Sequence, residues 1–367
     1  MVDGTDVFVV GGGPAGLAAA IAARKKGFSV IVADGSRPPI DKACGEGLMP
    51  GGLAALRELG VQIDASEGFA FRGVRFLQDG SAVDASFPDG RGVGLRRSFI
   101  HQKMVERARD LGVSFLWQTP VAGLYPGGVV VDGSVVNARW IVGADGLQSR
   151  VRRWADLETP VRQGIRFAFR QHYKVQPWSE YVEIYWGRHI QAYVTPVGDQ
   201  EVCAVLISRM PGQRMAALRE EFPQLAKRLG STKASIERGA ITVRRKLDHV
   251  YRGHVALVGD ASGSVDAVTG EGLSLGFHQA AALADAFEAG DLDHYEMAHR
   301  NLARTPAMME RLILLLASHE SLRERAIRAL ASDAGIFSRL LAIHLGAISP
   351  LHLATAGARF GWRFVTA

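Results

Sequence analysis

The sequence predicts an α/β fold in which a dinucleotide-binding domain is interrupted by a mostly antiparallel β-sheet substrate domain and followed by a helical C-terminal segment. Three patterns predict it: a glycine-rich turn after the first apolar strand, alternating apolar residues over 165–208, and helical periodicity from residue 272 onward. The chain has 367 residues, of which 47% are hydrophobic, so it can bury the cores of two domains.

The N-terminal motif has the order of a βαβ unit. An apolar strand over residues 6–10 enters the turn, a small-residue helix follows over 17–24, and a second apolar run ends at an aspartate. Such glycines serve a tight turn, a close approach to a pyrophosphate, and close packing of helix on strand, and the acid accepts hydrogen bonds from a ribose. The predicted dinucleotide contacts are Gly11, Gly13, Pro14, Ala15, Gly16, Asp34 and Gly35.

Composition narrows the class of protein. Cys44 and Cys203 form neither a metal-binding pattern nor a disulfide framework, and residues 1–6 lack the basic region of a signal peptide. We therefore expect a reduced, cytoplasmic protein without a metal site. The net charge of +6 is modest and its arginines are spread along the chain, so no nucleic-acid module is expected.

The elements after the first unit follow from local patterns. Ser98 is predicted to cap a helix that runs to Leu111, a helix is expected around residues 215–229, and the strand at 255–258 returns to the first domain. The predicted division is 1–74, 96–160 and 245–300 for the dinucleotide-binding domain, 75–95 and 161–244 for the sheet domain, and 301–367 for the C-terminal segment.

Two further strand-to-helix turns can face phosphates or hydroxyl groups. One follows the strand at residues 140–142 and contains Asp145 and Gly146. The other follows the strand at 255–258, and a carboxylate there can bind a sugar or ribityl hydroxyl, while backbone N–H groups can bind an anionic ring or phosphate. Its candidate contacts are Gly259, Asp260, Gly270, Gly272 and Leu273.

These three turns, in this order and spacing, resemble the FAD-binding flavoproteins related to p-hydroxybenzoate hydroxylase, over roughly residues 5–320. The resemblance implies a Rossmann-like FAD-binding domain of the GR2 type. It also implies that the first turn holds the ADP half of FAD and that the third holds the ribityl chain and isoalloxazine. The Asp145 turn is linked in that family to both FAD and the nicotinamide coenzyme, and NAD(P)H is expected as a transient electron donor.

Within that superfamily, residues 42–48 and 269–273 are similar to the geranylgeranyl reductase branch. In this chain Ala43 and Glu46 replace the proline and glycine of the branch's loop, and Ala267 replaces its usual proline. The substrate motif of those reductases is reduced here to residues 193–196, without its aromatic pair.

Several residues have two interpretations. Arg97 either pairs with the cofactor or is a surface arginine, and Cys44, beside Gly45 in the loop that faces the flavin in relatives, either tunes the flavin or is a buried thiol. On the predicted sheet, aromatic residues are either core or substrate contacts; the candidates are Tyr185, Tyr193 and Pro196. No catalytic residue is identified, as suits an enzyme whose cofactor carries the chemistry.

The C-terminal segment is apolar on several faces, from Ile336 to Val365, with Arg359 and Arg363 among aromatic residues. It either packs over the core or a dimer interface, or contacts a membrane surface and helps a lipid-like substrate enter. No uninterrupted apolar stretch reaches the roughly 18 residues that a membrane span needs.

The first functional hypothesis is an FAD-dependent, NAD(P)H-using monooxygenase that acts on a hydrophobic small molecule such as a polyketide, phenol or lipid. The alternative is a geranylgeranyl-reductase-like flavoprotein that reduces carbon–carbon double bonds, favoured by residues 42–48 and 269–273. A third hypothesis is a flavin- or lipid-binding protein without turnover. Incorporation of oxygen into the product distinguishes the first two.

Overall fold

The computed structural model describes residues 4–160, residues 164–349 and residue 364. The strands are β1 (Gly4–Val10), β2 (Val30–Asp34), β3 (Gly47–Leu48), β4 (Phe69–Phe71), β5 (Gly73–Gln78), β6 (Ser81–Ser86), β7 (Gly92–Gly94), β8 (Ser114–Trp117), β9 (Val121–Tyr125), β10 (Gly128–Val131), β11 (Ser134–Gly143), β12 (Arg166–Tyr173), β13 (Tyr181–Trp186), β14 (Ile190–Gly198), β15 (Glu201–Ser208), β16 (Arg238–Thr242), β17 (Tyr251–Arg252) and β18 (Val255–Leu257). The helices are α1 (Pro14–Lys25), α2 (Pro50–Glu58), α3 (Arg97–Asp110), α4 (Arg150–Trp154), α5 (Leu218–Glu221), α6 (Pro223–Leu229), α7 (Gly272–Ala289), α8 (Leu292–Ser318), α9 (Glu320–Ser332) and α10 (Ala334–His344).

The first sheet contains the predicted βαβ unit. Strands β18, β11, β1, β2 and β8 run parallel in that order, and β17 joins one edge antiparallel. Alternate side chains of these strands pack on α1, α3 and α7, and the others form a second core on the opposite face. The carboxyl ends of β1, β11 and β18 are therefore neighbours, and each leads into one of the three predicted turns.

The second sheet has the order β16-β12-β15-β14-β13-β5-β6 and is antiparallel except where β13 meets β5. This sheet confirms the predicted insertion of a mostly antiparallel β-sheet domain. Helices α5 and α6 cover one face, and α9 and α10 cover the other. A third sheet, β3-β7-β4, joins short strands from three parts of the chain. The domain boundaries given in the sequence analysis stay a prediction.

Two predicted elements differ in detail. Helix α3 begins at Arg97 rather than after a Ser98 cap, because the Glu46 carboxylate accepts a hydrogen bond from the Arg97 backbone N–H at 3.0 Å. The helix expected over 215–229 breaks at Phe222, whose φ of −131° is not helical. Its neighbour Pro223 disfavours the helical conformation at the preceding residue.

The described part of the C-terminal segment packs on the second sheet. Ile336, Phe337 and Leu341 are buried there, and the rings of Phe337 and Phe76 have centroids 4.5 Å apart. The predicted aromatic and arginine residues at 359–363 lie outside the described residues. Among the residues that the structure describes, no helix is long and apolar enough to cross a membrane.

Arg152 joins the second turn to the third. Its side chain is 1% exposed and donates hydrogen bonds to the carbonyl oxygens of Leu147 and Ala261, at 2.8 and 3.0 Å, and to Glu158. Carbonyl oxygens buried without a donor cost free energy, typically about 1–3 kcal/mol each. The guanidinium therefore fixes the relative position of the two loops.

We expect Arg152→Leu to lower the free energy of unfolding by about 3 kcal/mol, because the buried Ala261 carbonyl and the half-buried Leu147 carbonyl lose this donor, and Glu158 keeps only Arg245. Denaturant unfolding would measure the change. Arg153→Leu is the matched control, since the Arg153 side chain makes only an exposed contact with the Gln148 carbonyl. Equal stability of the two variants would contradict this account of Arg152.

Candidate cofactor and substrate site

The described structure contains a cavity with a volume of about 1140 Å³. It extends from the ends of β1, β11 and β18 to the space between the second sheet and helices α8 to α10. Pockets that hold one small ligand usually measure about 300–1000 Å³. The volume therefore leaves room for a dinucleotide and part of a second molecule.

The first turn is shaped by close backbone contacts. Gly11 has a φ of +112°, and a β-carbon there would lie 2.4 Å from the Ala144 carbonyl oxygen. Gly16 does not line the cavity; it lets α1 pack against the strand, since a β-carbon would lie 1.9 Å from the Gly11 carbonyl oxygen. At Gly13 a β-carbon would meet only the Arg97 guanidinium, at 4.0 Å. Gly13 is thus open to the cavity.

Asp34 and Arg97 lie on either side of this turn, and both line the cavity. The Asp34 carboxylate accepts hydrogen bonds from the N–H groups of Gly12 and Ser36, at 2.8 and 2.7 Å. Each carboxylate oxygen can accept a further bond, so a ribose diol can still be bound. The Arg97 side chain is buried rather than at the surface, and it donates to the Ile40 carbonyl at 2.5 Å.

The second turn places one carboxylate oxygen without a partner. Asp145 Oδ2 accepts hydrogen bonds from the N–H groups of Arg150 and Val151, at 2.7 and 3.1 Å. Its Oδ1 is buried and has no hydrogen-bond partner among the described residues. Asp145 and Gly146 both line the cavity, so a ligand donor can satisfy that oxygen.

The third turn brings a second acid to the cavity wall. None of the described residues hydrogen-bonds the Asp260 carboxylate, which faces the open cavity. The surrounding protein removes water from the Asp260 carboxylate, and this desolvation raises its pKa above the usual value. The positive charges of Lys42, Arg97 and Arg152 oppose that rise. The other predicted contacts of this turn line the same cavity: Gly259, Gly270, Gly272 and Leu273.

The loop before β3 holds Cys44 and Gly45, both predicted cofactor contacts, against the cavity. Burial raises the pKa of the Cys44 thiol, and the negative charge of Glu46 raises it further. Sequence reasoning missed that the Glu46 carboxylate is hydrogen-bonded to His172 Nε2 at 2.5 Å. The replacement of the branch's glycine by Glu46 was the available signal, but its partner lies 126 residues away.

The three substrate candidates separate by strand face. Tyr193 lines the apolar half of the cavity, whereas Tyr185 and Pro196 do not. Tyr185 packs against Phe222 on the other face of the sheet, because successive side chains of a strand point to opposite faces. Ile184 and Thr195, one residue before each, line the cavity instead.

One cluster has the residue types of a metal site. Donor atoms of Glu46, His172 and Cys203 lie within 4.8 Å of one another. However, Glu46 and His172 are bonded directly to each other, and burial raises the pKa of the Cys203 thiol well above its usual value. A cysteine binds a metal as its thiolate, which this burial disfavours. We interpret the cluster as a hydrogen-bonded group.

The fold and site define a dinucleotide-binding α/β protein with an adjoining apolar chamber. Residues 4–290 match the family model described as the FAD binding domain. The chain belongs to this family and is an FAD-dependent oxidoreductase, which confirms the resemblance, the cofactor and the enzyme class predicted from the sequence.

Several relatives whose sequences match most of this chain carry the names of reductases. The menaquinone reductase of Mycobacterium tuberculosis is 27% identical over 79% of this chain and 78% of its own. A digeranylgeranylglycerophospholipid reductase of Methanopyrus kandleri is 30% identical over 73% and 76%. The 6-methylpretetramide 4-monooxygenase of Streptomyces rimosus is 38% identical, over 42% of this chain and 41% of its own.

Solved structures share the fold at lower identity. A flavoprotein/dehydrogenase from Cytophaga hutchinsonii has a TM-score of 0.81 at 18% identity and covers 93% of both chains. A geranylgeranyl bacteriochlorophyll reductase-like protein from Thermoplasma acidophilum has a TM-score of 0.72 at 21% identity, over 86% of this chain and 88% of its own. At these identities the likeness establishes the fold.

The residues of the site fit FAD. Gly13 is open where a pyrophosphate approaches, Asp145 has an oxygen without a partner, and the Asp260 carboxylate is free to accept from a ribityl hydroxyl. These residues would hold the cofactor between the first sheet and the loop that carries Cys44.

We expect Gly13→Val to remove FAD, because the side chain would occupy the space of the pyrophosphate while contacting almost nothing in the protein itself. The ratio of flavin to protein absorbance measures the loss, and thermal unfolding checks the fold. Gly123→Val is the control, since a β-carbon there also meets nothing and Gly123 does not line the cavity. Full flavin content in Gly13→Val would contradict this placement of the cofactor.

We expect Asp260→Ala to weaken FAD retention at least tenfold, because a charge-assisted hydrogen bond is worth about 1.5–3 kcal/mol. The dissociation constant can be measured by titrating apoprotein with FAD. The exposed residue Asp110, outside the cavity, provides the control Asp110→Ala. Unchanged affinity would argue against a ribityl contact at Asp260.

Proposed function

We propose that this protein is an FAD-dependent reductase that saturates a carbon–carbon double bond in an apolar, isoprenoid-like chain. The observation that supports this proposal most is the apolar half of its cavity. When bound, FAD supplies hydride chemistry. The protein then has to bind the chain, orient it and provide a proton.

The apolar half is a long chamber between the second sheet and the C-terminal helices. Few polar side chains line it, among them Tyr193, Thr195 and His344. A phenol or polyketide would be oriented by several well-placed polar groups, whereas an isoprenoid chain needs only apolar surface. The apolar lining includes Phe71, Phe76, Val182, Ile184, Val205, Ile207, Met309, Leu312, Leu316, Leu330, Phe337 and Leu341.

Leu312 and Leu315 of α8 line the chamber yet are 44% and 47% exposed. Apolar side chains that are exposed at the edge of an apolar chamber suit a lipid-like chain that enters there. A peripheral membrane contact of the C-terminal segment, as considered from the sequence, belongs to this proposal.

The relatives support this order of hypotheses, which reverses the one drawn from the sequence alone. Those that match most of the chain carry the names menaquinone reductase and digeranylgeranylglycerophospholipid reductase. Both names denote reductases of lipids. The 6-methylpretetramide 4-monooxygenase matches less than half of this chain. That match keeps oxygen transfer to a polyketide as the second candidate function.

The electron donor in this proposal is NAD(P)H. A second cavity of about 620 Å³ adjoins the first, with Ser264 and Val265 in the walls of both. Phosphate groups of a transiently bound coenzyme suit its cationic lining. The basic residues of that lining are Arg244, Arg245, Lys246, Arg300, Arg304 and Arg311.

The decisive experiment supplies anaerobically reduced holoenzyme with menaquinone or with a geranylgeranyl-bearing phospholipid. Mass spectrometry of the lipid should show the gain of two hydrogen atoms per reduced double bond. A parallel reaction under isotopically labelled dioxygen should show no labelled oxygen in the product. Labelled product without saturation would replace the proposal by the second candidate.

We expect Val182→Trp to lower saturation of a long chain at least tenfold with FAD content unchanged, because the ring would fill the chamber. Val135→Trp is the control, since Val135 is exposed on β11 and does not line the cavity. Saturation and bound flavin are measured on the same samples. Unimpaired saturation in Val182→Trp would contradict the location of the substrate.

A further inference from the structure

Glu46 holds a backbone conformation that a glycine adopts without strain. Its φ is +58°, in the left-handed region, where a residue other than glycine costs of order 1–3 kcal/mol. The branch that this loop resembles has glycine at this position. The contacts of the Glu46 side chain must therefore offset the free-energy cost of this backbone conformation.

The carboxylate of Glu46 is buried between two elements of the site. Oε1 accepts from the Arg97 N–H at 3.0 Å and Oε2 accepts from His172 Nε2 at 2.5 Å. The side chains of Glu46 and His172 are 1% and 2% exposed. The pair is thus withdrawn from bulk water, although Glu46 belongs to the cavity wall.

The other face of His172 leads toward the surface. Nδ1 lies 2.9 Å from the hydroxyl oxygen of half-buried Ser235 and 3.2 Å from the Arg170 guanidinium. In the neutral ring Nδ1 can accept from Arg170, and in the charged ring it can donate to the Ser235 oxygen. The ring therefore has a partner on both nitrogens whether it carries one proton or two.

The loop that contains Glu46 spans the two halves of the cavity. At one end, the charge of Lys42 acts on Asp260 of the third turn. At the other, a β-carbon at Gly47 would lie 3.5 Å from side-chain atoms of Thr195 and Val182, which line the apolar half. Glu46 lies next to Gly47, where cofactor and substrate would meet.

We propose that the Glu46–His172 pair is a proton relay, which takes up one proton from the solvent side when the bound cofactor is reduced and releases it into the cavity when the cofactor is reoxidised. The release step rests on the proposed function, whereas the uptake step applies to any two-electron reduction. The relay adds a proton source, which sequence reasoning could not identify.

The proton balance is closed. Uptake places a proton on His172 Nδ1 from water by way of Ser235, and the Nε2 proton passes to Glu46 Oε2. After Glu46 has given up that proton the ring carries its proton on Nδ1. Exchange with water, with one proton lost from Nδ1 and one gained at Nε2, restores the starting tautomer without changing the proton count. In alkene reduction the π bond breaks, a hydride forms one new C–H bond, and the proton held at Glu46 forms the other. A two-electron donor of the nicotinamide class, one proton and the alkene thus give the oxidised donor and the saturated chain.

Several charged or titratable groups act on the pair from the elements packed around it. Arg170 is itself paired with Asp41 of the same loop, so its charge is partly balanced. The groups on the neighbouring elements include Asp41, Cys44, Arg96, Arg97, Arg170, Glu201, Cys203 and Arg238. If the charges of these groups stay constant, the protonation state of the Glu46–His172 pair can change with the redox state of the cofactor.

The test measures the midpoint potential of bound FAD against pH in the holoenzyme, which requires no substrate. For wild type we expect a second inflection in addition to the one that reduced flavin gives by itself, and for Glu46→Gln the loss of that second inflection. The amide keeps an acceptor for the Arg97 N–H but cannot carry the relayed proton. A merely structural role would shift the whole curve in parallel and leave the inflection.

The control is Glu201→Gln, which removes a nearby carboxylate that is paired with Arg96 instead. It should keep the inflection. If Glu46→Gln does not retain FAD, Glu46→Gly serves in its place, since glycine relieves the left-handed strain and also lacks the carboxylate. A second inflection that persists without the carboxylate, or that wild type lacks, would overturn the relay. An inflection that depends on Glu46 in an enzyme that saturates no alkene would support uptake and refute the proposed function.

Discussion

The structure depends on backbone contact between three strand ends that only small residues permit. A β-carbon at Gly11 would lie 2.4 Å from the Ala144 carbonyl oxygen, and one at Gly259 would lie 2.7 Å from the Ala15 β-carbon. These contacts draw the ends of β1, β11 and β18 to the first turn of α1. The helix N-terminus, Asp145 and Asp260 consequently face one space, which no single turn could form alone. The three turns in the sequence are thus three walls of one cofactor site.

A second constraint joins the cofactor site to the substrate sheet. Strand β12 contacts the loop before β3 twice, through Arg170 with Asp41 and through His172 with Glu46. Both contacts are buried on the strand side, where a missing partner would leave a charge or polar group without compensation. Moving the loop away from the sheet would therefore cost free energy, and the two ends of the loop stay in the two halves of the cavity. Cofactor and substrate chamber are held in register by these pairs.

Local patterns predicted the parts of the site that are contiguous in sequence. The glycine turns and the acids after the strands are defined by spacing within a few residues, and the structure places all of them except Gly16 along one cavity. The period of two also restricted Tyr185 and Tyr193 to one face per strand, but it could not say which face borders the cavity. The face was decided by α9 and α10, more than 100 residues further on. The cap of α3 failed for the same reason, because Glu46 lies 51 residues from Arg97.

The departure of the loop from its family pattern has a physical explanation in these long-range contacts. A glycine at position 46 would relieve the left-handed backbone but would leave the Arg97 N–H and the His172 ring without their acceptor. Unpartnered polar groups at such burial cost about as much as the strain that the glutamate introduces. Stability alone therefore gives little preference for either residue. What distinguishes the glutamate is that it can carry a proton at the cavity wall, as the proposed relay requires, whereas glycine cannot.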